Sequence, residues 1–125
     1  MKYVLTIFVL TVILLVSNCN AQTDRWIYVT TNSDYTTYYD VETIKYNGNE
    51  ITVNLKSIYS DDSKEFWDLK YSILKSVFYC GEYRFKNISV TEYYKRGGAN
   101  TIPINNYIDV IPETTGEDIY KFFCK

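Results

Sequence analysis

The sequence predicts an α+β fold: a small, mainly antiparallel β-sheet with a C-terminal α-helix packed on it, stapled by one disulfide. Three observations support this prediction. Residues 51–55 alternate apolar and polar side chains, which is typical of a strand with one buried face. Residues 112–125 carry the start signals and the apolar stripe of a helix. Two cysteines, Cys80 and Cys124, lie in the part of the chain that is expected to fold.

The first 21 residues are predicted to be a signal peptide. Lys2 supplies a positive charge, residues 3–16 are almost all apolar, and small and polar residues follow. The apolar run is shorter than the roughly 18 residues of a membrane-spanning helix. The alternative is a buried core segment. With residues 1–21 removed from the 125, one domain over residues 22–125 remains, and it contains 104 residues.

The stretch VSNCNAQ, residues 16–22, leaves two alternatives for the end of this leader. A small-x-Ala pattern predicts cleavage between Ala21 and Gln22, which discards Cys19. In the alternative, Cys19 is the lipid attachment site of an anchored protein. The residue before a lipidated cysteine is normally Gly, Ala or Ser, and here it is Asn18. We therefore favour cleavage after Ala21, and we expect contact with a membrane only if Cys19 carries a lipid.

Strands are predicted along most of the domain. Asn47-Gly48-Asn49 is a hairpin signal, because asparagine and glycine tolerate positive φ. The apolar phase of the strand over residues 83–94 slips, which predicts a β-bulge near Asn87. Residues 60–64 are expected to form an exposed loop. The predicted extended segments are residues 25–30, 36–41, 51–59, 69–80 and 83–94, with a short piece within 101–110.

The segment over residues 69–80 is ambiguous between helix and strand. Apolar side chains recur at three- and four-residue steps at Phe66, Leu69, Ile73 and Val77, which suits a helix. The same segment suits a strand, and we favour that interpretation. One face of this strand would then carry Tyr71, Ile73, Val77 and Tyr79, interrupted by Lys75.

The C-terminal helix is predicted from its N-terminal start signals and from its apolar stripe. Pro112 precedes it, and Thr114 followed three residues later by Glu117 fits a capping box. Asp118 adds negative charge where the helix dipole favours it. An apolar stripe at helical spacing is formed by Ile119, Phe122 and Phe123.

The cysteines are expected to form one disulfide. An exported chain meets an oxidising compartment, where disulfides persist. Pairing Cys80 with Cys124 closes a loop worth roughly 4 kcal/mol in the chain-entropy model, and it ties the helix to the end of the 69–80 strand. The alternative is two free buried thiols. A zinc site is not predicted, because two cysteines without histidine are too few ligands.

Composition argues against several function classes. The chain has no histidine, the commonest general base and metal ligand. We therefore predict no catalytic residue, no cofactor and no metal. Without Lys2, the chain has 12 basic and 15 acidic side chains, so nucleic acid is not an expected partner. Asp40 is expected to fix a turn rather than to catalyse. The adjacent carboxylates at 61–62 and 117–118 are expected to be solvated.

Fourteen tyrosines are the second compositional signal. Tyrosine favours strands, because its wide, flat side chain packs well on a pleated surface. It also gives a binding surface amphipathic contact area at a low entropic cost. A tyrosine-rich sheet is the simpler interpretation, and a dedicated aromatic binding face is the alternative.

Short motifs occur in a defined order along the domain, at residues 26–29, 38–40 with 43–44, 48–49 leading to Lys56, 80–84, 93–94 before 97–98, and 111–112 through Glu117, Tyr120 and Cys124. This order resembles the surface-adhesin protein E family of bacterial envelope proteins. The resemblance implies an antiparallel sheet with a C-terminal helix packed on it, a disulfide matching Cys80–Cys124, and an exported protein whose best-known relative binds host extracellular-matrix proteins and forms dimers. One departure is that Asn54-Leu55-Lys56 stands where the family often carries tryptophan.

Two functions are compatible with these features. The first is an exported, non-enzymatic binding module of the periplasm, cell surface or medium, adhesin-like towards extracellular proteins. Its expected partner is an unidentified protein or glycan, and a homodimer is an expected assembly. The alternative is a structural or accessory envelope domain without its own ligand.

Overall fold

A computed structural model describes residues 24–125, and in this range it shows seven β-strands and one α-helix. The predicted signal peptide, its cleavage site at Ala21 and Gln22, and Cys19 lie outside the described residues. The elements are β1 (Trp26–Thr31), β2 (Tyr35–Asp40), β3 (Lys45–Asn47), β4 (Glu50–Tyr59), β5 (Leu69–Tyr79), β6 (Arg84–Tyr94), β7 (Ala99–Asp109) and α1 (Thr115–Phe123).

The strands form one antiparallel sheet in the order β1-β2-β4-β5-β6-β7. The short strand β3 also pairs with β4, so it continues the line of β2 along the same side of β4. Except for β3, each strand lies beside the previous strand of the path, as antiparallel pairing allows without long crossover connections. The predicted fold class is confirmed. The path ends at β1 and β7, and β3, which pairs only with β4, also has an open side.

The turn between β3 and β4 shows why this hairpin forms. Asn47 pairs with Glu50, which leaves Gly48 and Asn49 as a two-residue loop. Gly48 adopts a φ of 59°, the left-handed region that a type II′ turn requires at its first central position. The predicted hairpin at residues 47–49 is confirmed.

One face of the sheet, which we call the helix-covered face, holds the core. Ile51, Val53 and Leu55 of β4 are buried there, as their alternation predicts. Phe78 of β5 pairs with Ile51 and is only 1% exposed. Because α1 packs against this face, the opposite face carries the alternate residues of the same strands; we call it the helix-free face.

The helix α1 is held by its cap and by aromatic packing. The Thr114 hydroxyl accepts a hydrogen bond from the Glu117 amide at 3.3 Å, as the capping box predicts. The Glu117 carboxylate reaches the amide of Glu113 rather than that of Thr114, one residue before the cap. On the inner side of the helix, Phe123 stacks on Phe78 with ring centroids 5.1 Å apart.

Tyr120 is the most buried residue of α1, and it connects the helix to the turn after β5. It is 4% exposed, and its hydroxyl donates to the Tyr79 carbonyl at 3.1 Å. The same oxygen accepts from the amides of Gly81 and Tyr83. A buried hydroxyl with three partners avoids the desolvation cost of an unpaired polar group.

The disulfide lies next to this contact. It joins Cys80, directly after β5, to Cys124, the C-cap residue of α1, with Cα atoms 5.2 Å apart. The predicted pairing is confirmed, and the alternative of two free thiols is wrong. The bond fixes the end of the helix to the end of a central strand.

The predicted bulge near Asn87 is confirmed by a register shift between Asn87 and Ser89. Two other predictions are wrong. The last strand is longer than the short piece predicted within 101–110, because β7 runs over eleven residues and begins at Ala99. Ser63, expected in an exposed loop, is buried and donates to the Asp34 carboxylate at 3.0 Å.

The strand β7 tolerates unusual residues because it is an edge. Pro103 lies within it, and Asn105 adopts a φ of 54°. Proline lacks an amide hydrogen and is confined to edge strands or bulges within sheets. Along the part of the chain that the structure describes, no helix has the length and apolar character needed to span a membrane.

Candidate binding face

The helix-free face is the candidate functional surface. The helix α1 and the loop over residues 60–68 both pack on the opposite side, where Phe66 contacts Tyr35 and Tyr59. Strand register places aromatic and basic side chains of all seven strands on the helix-free face. They are Trp26, Tyr28, Tyr38, Lys45, Lys56, Tyr71, Lys75, Tyr79, Arg84, Lys86, Tyr93 and Tyr107.

A first cation–aromatic cluster surrounds Lys56. Its ammonium lies 5.4 Å from the ring centroid of Trp26 and 4.5 Å from that of Tyr71. Tyr71 in turn stacks on Tyr93 of β6, with centroids 4.3 Å apart. Cations over ring faces gain about 0.5–1 kcal/mol at exposed sites. The cluster therefore holds one ammonium and three rings in a defined arrangement across four strands.

A second cluster lies at the other end of the face. The Arg84 guanidinium lies 4.7 Å from the ring centroid of Tyr107 and 5.5 Å from that of Tyr79. Lys86 approaches the Tyr107 ring at 5.1 Å. Burial, followed by contact with Tyr107, raises the pKa of Tyr79, so this phenol stays neutral at physiological pH. The face thus offers neutral hydroxyls beside positive charges.

An ion pair between half-exposed Arg25 and buried Asp40 fixes the start of β1 beside the first cluster. Two of the guanidinium nitrogens of Arg25 donate to the carboxylate of Asp40: Nε at 3.0 Å and Nη2 at 2.8 Å. Asp40 is fully buried, and the hydrogen bonds from Arg25 hold the pKa of its carboxyl below the ordinary value. Asp40 also accepts from the Glu42 amide at 3.0 Å, which confirms its predicted turn role. Arg25 precedes Trp26, so the pair orients the residue that contacts Lys56.

The middle of the face is a shallow, open recess of about 290 Å³ where β2 gives way to β3. Asn54 and Lys75 line it from β4 and β5, and Glu42 lines it from the turn. The Glu42 carboxylate oxygen Oε2 lies 3.3 Å from the Nε atom of Arg25. Within residues 24–125, no group of three or more His, Cys, Asp or Glu side chains could hold a metal ion.

The acidic pairs singled out in the sequence lie elsewhere. Asp61 and Asp62 are exposed, as predicted, and Asp61 approaches Lys95 at 3.4 Å. The prediction for Glu117 is wrong, because its side chain is only 14% exposed. The Tyr83 hydroxyl and then the Lys121 ammonium lower the pKa of Glu117. Both contacts lie at the helix start, where they stabilise α1.

The helix-covered face contains a smaller cavity of about 180 Å³ between α1 and the sheet. Its lining is mostly apolar. Two polar side chains of the lining bond to each other, because the Ser76 hydroxyl donates to the Asn87 side-chain oxygen at 2.9 Å. The lining residues are Tyr35, Leu55, Leu74, Ser76, Phe78, Phe85, Asn87, Gly116 and Ile119.

The fold and this surface define a class: a small antiparallel sheet with a disulfide-tethered C-terminal helix on one face and an aromatic, basic surface on the other. The chain belongs to the surface-adhesin protein E family, whose model matches residues 26–125. Membership confirms the predicted resemblance and indicates a surface-associated protein with a role in adhesion. No curated protein and no solved structure matches the chain significantly.

The sequence contained part of the signal for this surface. The face of β5 that carries Tyr71, Ile73, Val77 and Tyr79, interrupted by Lys75, was visible as an alternation. Its partners were not visible, because Lys56 and Trp26 meet Tyr71 only after β1, β4 and β5 are aligned. Of the predicted site residues, Cys80 and Cys124 lie at the helix end and not on this face.

Proposed function

We propose that the chain is an exported, non-enzymatic adhesin that binds an extracellular protein through its helix-free face. The observation that carries this proposal is the pair of cation–aromatic clusters on the helix-free face. Protein interfaces are enriched in Tyr, Trp and Arg, and these residues supply most of the binding energy of hot spots. Family membership supports the same role.

The exposure of the rings supports a contact surface. Tyr28 is 53% exposed and Tyr107 is 56% exposed, although both are large side chains on paired strands. Strands fix the backbone beneath these rings, so binding would order few additional groups and would lose little conformational entropy. Tyr28 packs edge-on against Tyr38, which restricts it further.

The proposal includes export by the signal peptide at residues 1–21, with cleavage between Ala21 and Gln22. Lipidation of Cys19 remains the alternative, and it would tether the domain to a membrane. A homodimer is compatible with either form. Mass spectrometry of the exported protein measures the mature N-terminus and any lipid together. A mature chain that begins at Cys19 with an added lipid mass would replace the cleavage proposal.

The binding experiment uses the full chain, exported and purified, on surfaces coated with extracellular-matrix proteins. We expect saturable binding that the double substitution Tyr28→Ala and Tyr107→Ala weakens at least about tenfold, as the loss of two aromatic contacts predicts. The matched control is Tyr46→Ala with Trp67→Ala, because these aromatic side chains are 72% and 70% exposed and lie off the helix-free face. Absence of saturable binding would favour the alternative of an accessory envelope domain without its own ligand.

A further inference from the structure

Three lysines form a diagonal stripe across the centre of the helix-free face. Lys56 of β4 lies opposite Ile73, and Lys75 of β5 lies opposite Asn54, two residues further along. Lys86 of β6 lies opposite Val77, again displaced by two residues in the same direction. Diagonal neighbours in adjacent strands are separated by about 7–8 Å. The stripe therefore places the Cβ atoms of three lysines at nearly regular spacing across three strands.

These lysines have no acidic partner in the sheet. The residues in register with them are Tyr38 and Ile73 for Lys56, Asn54 and Ser89 for Lys75, and Val77 and Tyr107 for Lys86. Among the ion pairs formed within residues 24–125, none includes any of the three. The stripe is thus a positive line on a chain whose formal net charge is −2.

Other charged side chains of this face lie at its two ends, near oppositely charged groups. Arg25 is neutralised by Asp40 and Glu42 beside the first strand. Glu50 and Asp109 lie at the opposite end, in the row that contains Tyr79 and Arg84. Between these two ends, the positive charges without an ion pair in the described residues are the three lysines of the stripe and Lys45 of β3, which lies opposite Thr52.

We propose that the stripe binds an extended, acidic segment of the partner protein, with carboxylates on alternate residues. Alternate side chains of an extended peptide lie on one side and repeat every ~6.6–6.8 Å. This repeat matches the diagonal spacing of the lysines, so three successive carboxylates on one side of the peptide meet three ammonium groups. The inference rests on the proposed adhesin function and names the chemistry of its partner.

The surroundings of the stripe suit such a ligand. Lys56 is held between the rings of Trp26 and Tyr71, and Lys86 lies over Tyr107, so two of the three ammonium groups are positioned before binding. Preorganised groups lose less entropy when a ligand binds. Lysine is a compact point charge without the fixed fork of arginine, so it accepts carboxylates in a range of orientations.

The test compares two labelled seven-residue peptides, each with three glutamates and four threonines. One peptide carries glutamate at positions 1, 3 and 5, and the other carries it at positions 1, 4 and 7, which sends successive carboxylates to opposite sides of an extended chain. We expect the full exported chain to bind the first peptide more tightly. We also expect its affinity to fall as salt rises, because exposed charges are screened.

The variant Lys56→Gln, Lys75→Gln, Lys86→Gln should weaken binding of the first peptide about tenfold, as three exposed ion pairs predict. The matched control Lys64→Gln, Lys95→Gln, Lys125→Gln removes the same charge from exposed positions off this face and should leave binding unchanged. Equal affinity for both peptides would overturn the proposal. So would binding of heparin by the stripe with no binding of either peptide, which would indicate a sulfated glycan.

The two proposals fail in distinguishable ways. If matrix binding depends on Tyr28 and Tyr107 but neither on the three lysines nor on salt, the acidic-segment proposal falls and the adhesin function stands. If the first peptide binds the stripe while no extracellular protein is bound, the adhesin function falls and the acidic specificity stands.

Discussion

The two faces of the sheet are both rich in aromatic rings, but the rings have different neighbours. On the helix-covered face, Phe78 packs between Phe85 and Phe123, and apolar side chains fill the remaining space. On the helix-free face, Tyr71 and Tyr107 lie under lysine and arginine side chains. Aromatic residues therefore form a core on one face and part of a charged surface on the other. The side chains that contact the rings, apolar on one face and basic on the other, make this difference.

The strand β5 shows the difference most clearly. Its core side carries Ser72 and Ser76, both buried, and each has a partner on a neighbouring strand: the Tyr59 hydroxyl and the Asn87 side chain. Its helix-free side carries more apolar and aromatic residues, namely Tyr71, Ile73, Val77 and Tyr79, and Val77 is buried although it lies on this side. The side of a strand with more apolar residues is therefore not always the side that faces the core.

The largest expected effect distinguishes the two faces within β5. Phe78→Ala should reduce the free energy of unfolding by about 3–5 kcal/mol, because it empties a fully buried site. Tyr71→Ala, on the helix-free side, should cost about 1 kcal/mol, since it removes one half-buried aromatic pair. Urea unfolding of the two variants measures both values. Equal losses would mean that the helix-free face also contributes a core.

The second effect concerns the bond that keeps the helix on its face. Replacing Cys80 and Cys124 together by serine opens a loop with a sequence separation of 44, so we expect a loss of about 4 kcal/mol. Chemical unfolding with and without reductant checks this value. Reductant should destabilise the wild type and leave the double variant unchanged. A double variant as stable as the oxidised wild type would show that packing alone holds the helix.

The third effect is a pH dependence at the margin of the helix-free face. Asp40→Asn should reduce stability at neutral pH by about 1–2 kcal/mol, a modest value because Arg25 is half exposed. The pKa of Asp40 lies below its ordinary value of 3.8, because Arg25 donates to the carboxylate. The stabilisation is therefore complete well above pH 3.8 and is lost as the pH falls through this value towards the folded pKa.

The measurement is the stability difference between wild type and Asp40→Asn from pH 7 down to pH 2. This difference should shrink below pH 4. The control is Asp61→Asn, whose side chain is 97% exposed and which should differ little from wild type at any pH. A difference for Asp40→Asn that stays constant with pH would contradict the assigned role of the ion pair.

The smallest expected effect tests the start of the helix. Thr114→Ala should cost about 1 kcal/mol, because the amide of Glu117 loses its capping acceptor. Ser33→Ala, which removes a hydroxyl from an exposed position in the turn between β1 and β2, serves as the control and should change stability by less than about 0.5 kcal/mol. Thermal and urea unfolding measure both. If the two variants were equally stable, the cap would be dispensable once the disulfide is formed.

Local patterns were sufficient for most of the fold. The alternation at 51–55 predicted β4, the Gly48 hairpin predicted the turn before it, and the cap at Thr114 predicted the helix. Each of these signals involves residues close together in the chain, where backbone preference and side-chain period decide the outcome. The disulfide was predicted because the folded part of the chain offers few cysteines.

The candidate site was less predictable, because it depends on register. The contact of Arg25 with Asp40 joins residues 15 positions apart, and no short motif announces it. The lysine stripe is drawn from three strands, and each lysine alone resembles an ordinary solvated residue. The length of β7 was underestimated for a related reason: Pro103 and Asn105 interrupt the alternation, and an edge strand tolerates both.

The irregular edges of the sheet have a consequence for how the domain meets other chains. The strand β7 carries a proline and a left-handed asparagine at its centre, and β1 is six residues long with a register shift between Tyr28 and Thr30. A straight edge with free amides is a template on which another chain can add a strand and begin aggregation. Both edges are poor templates of this kind. The sheet is thus protected from growing strand by strand at these two edges.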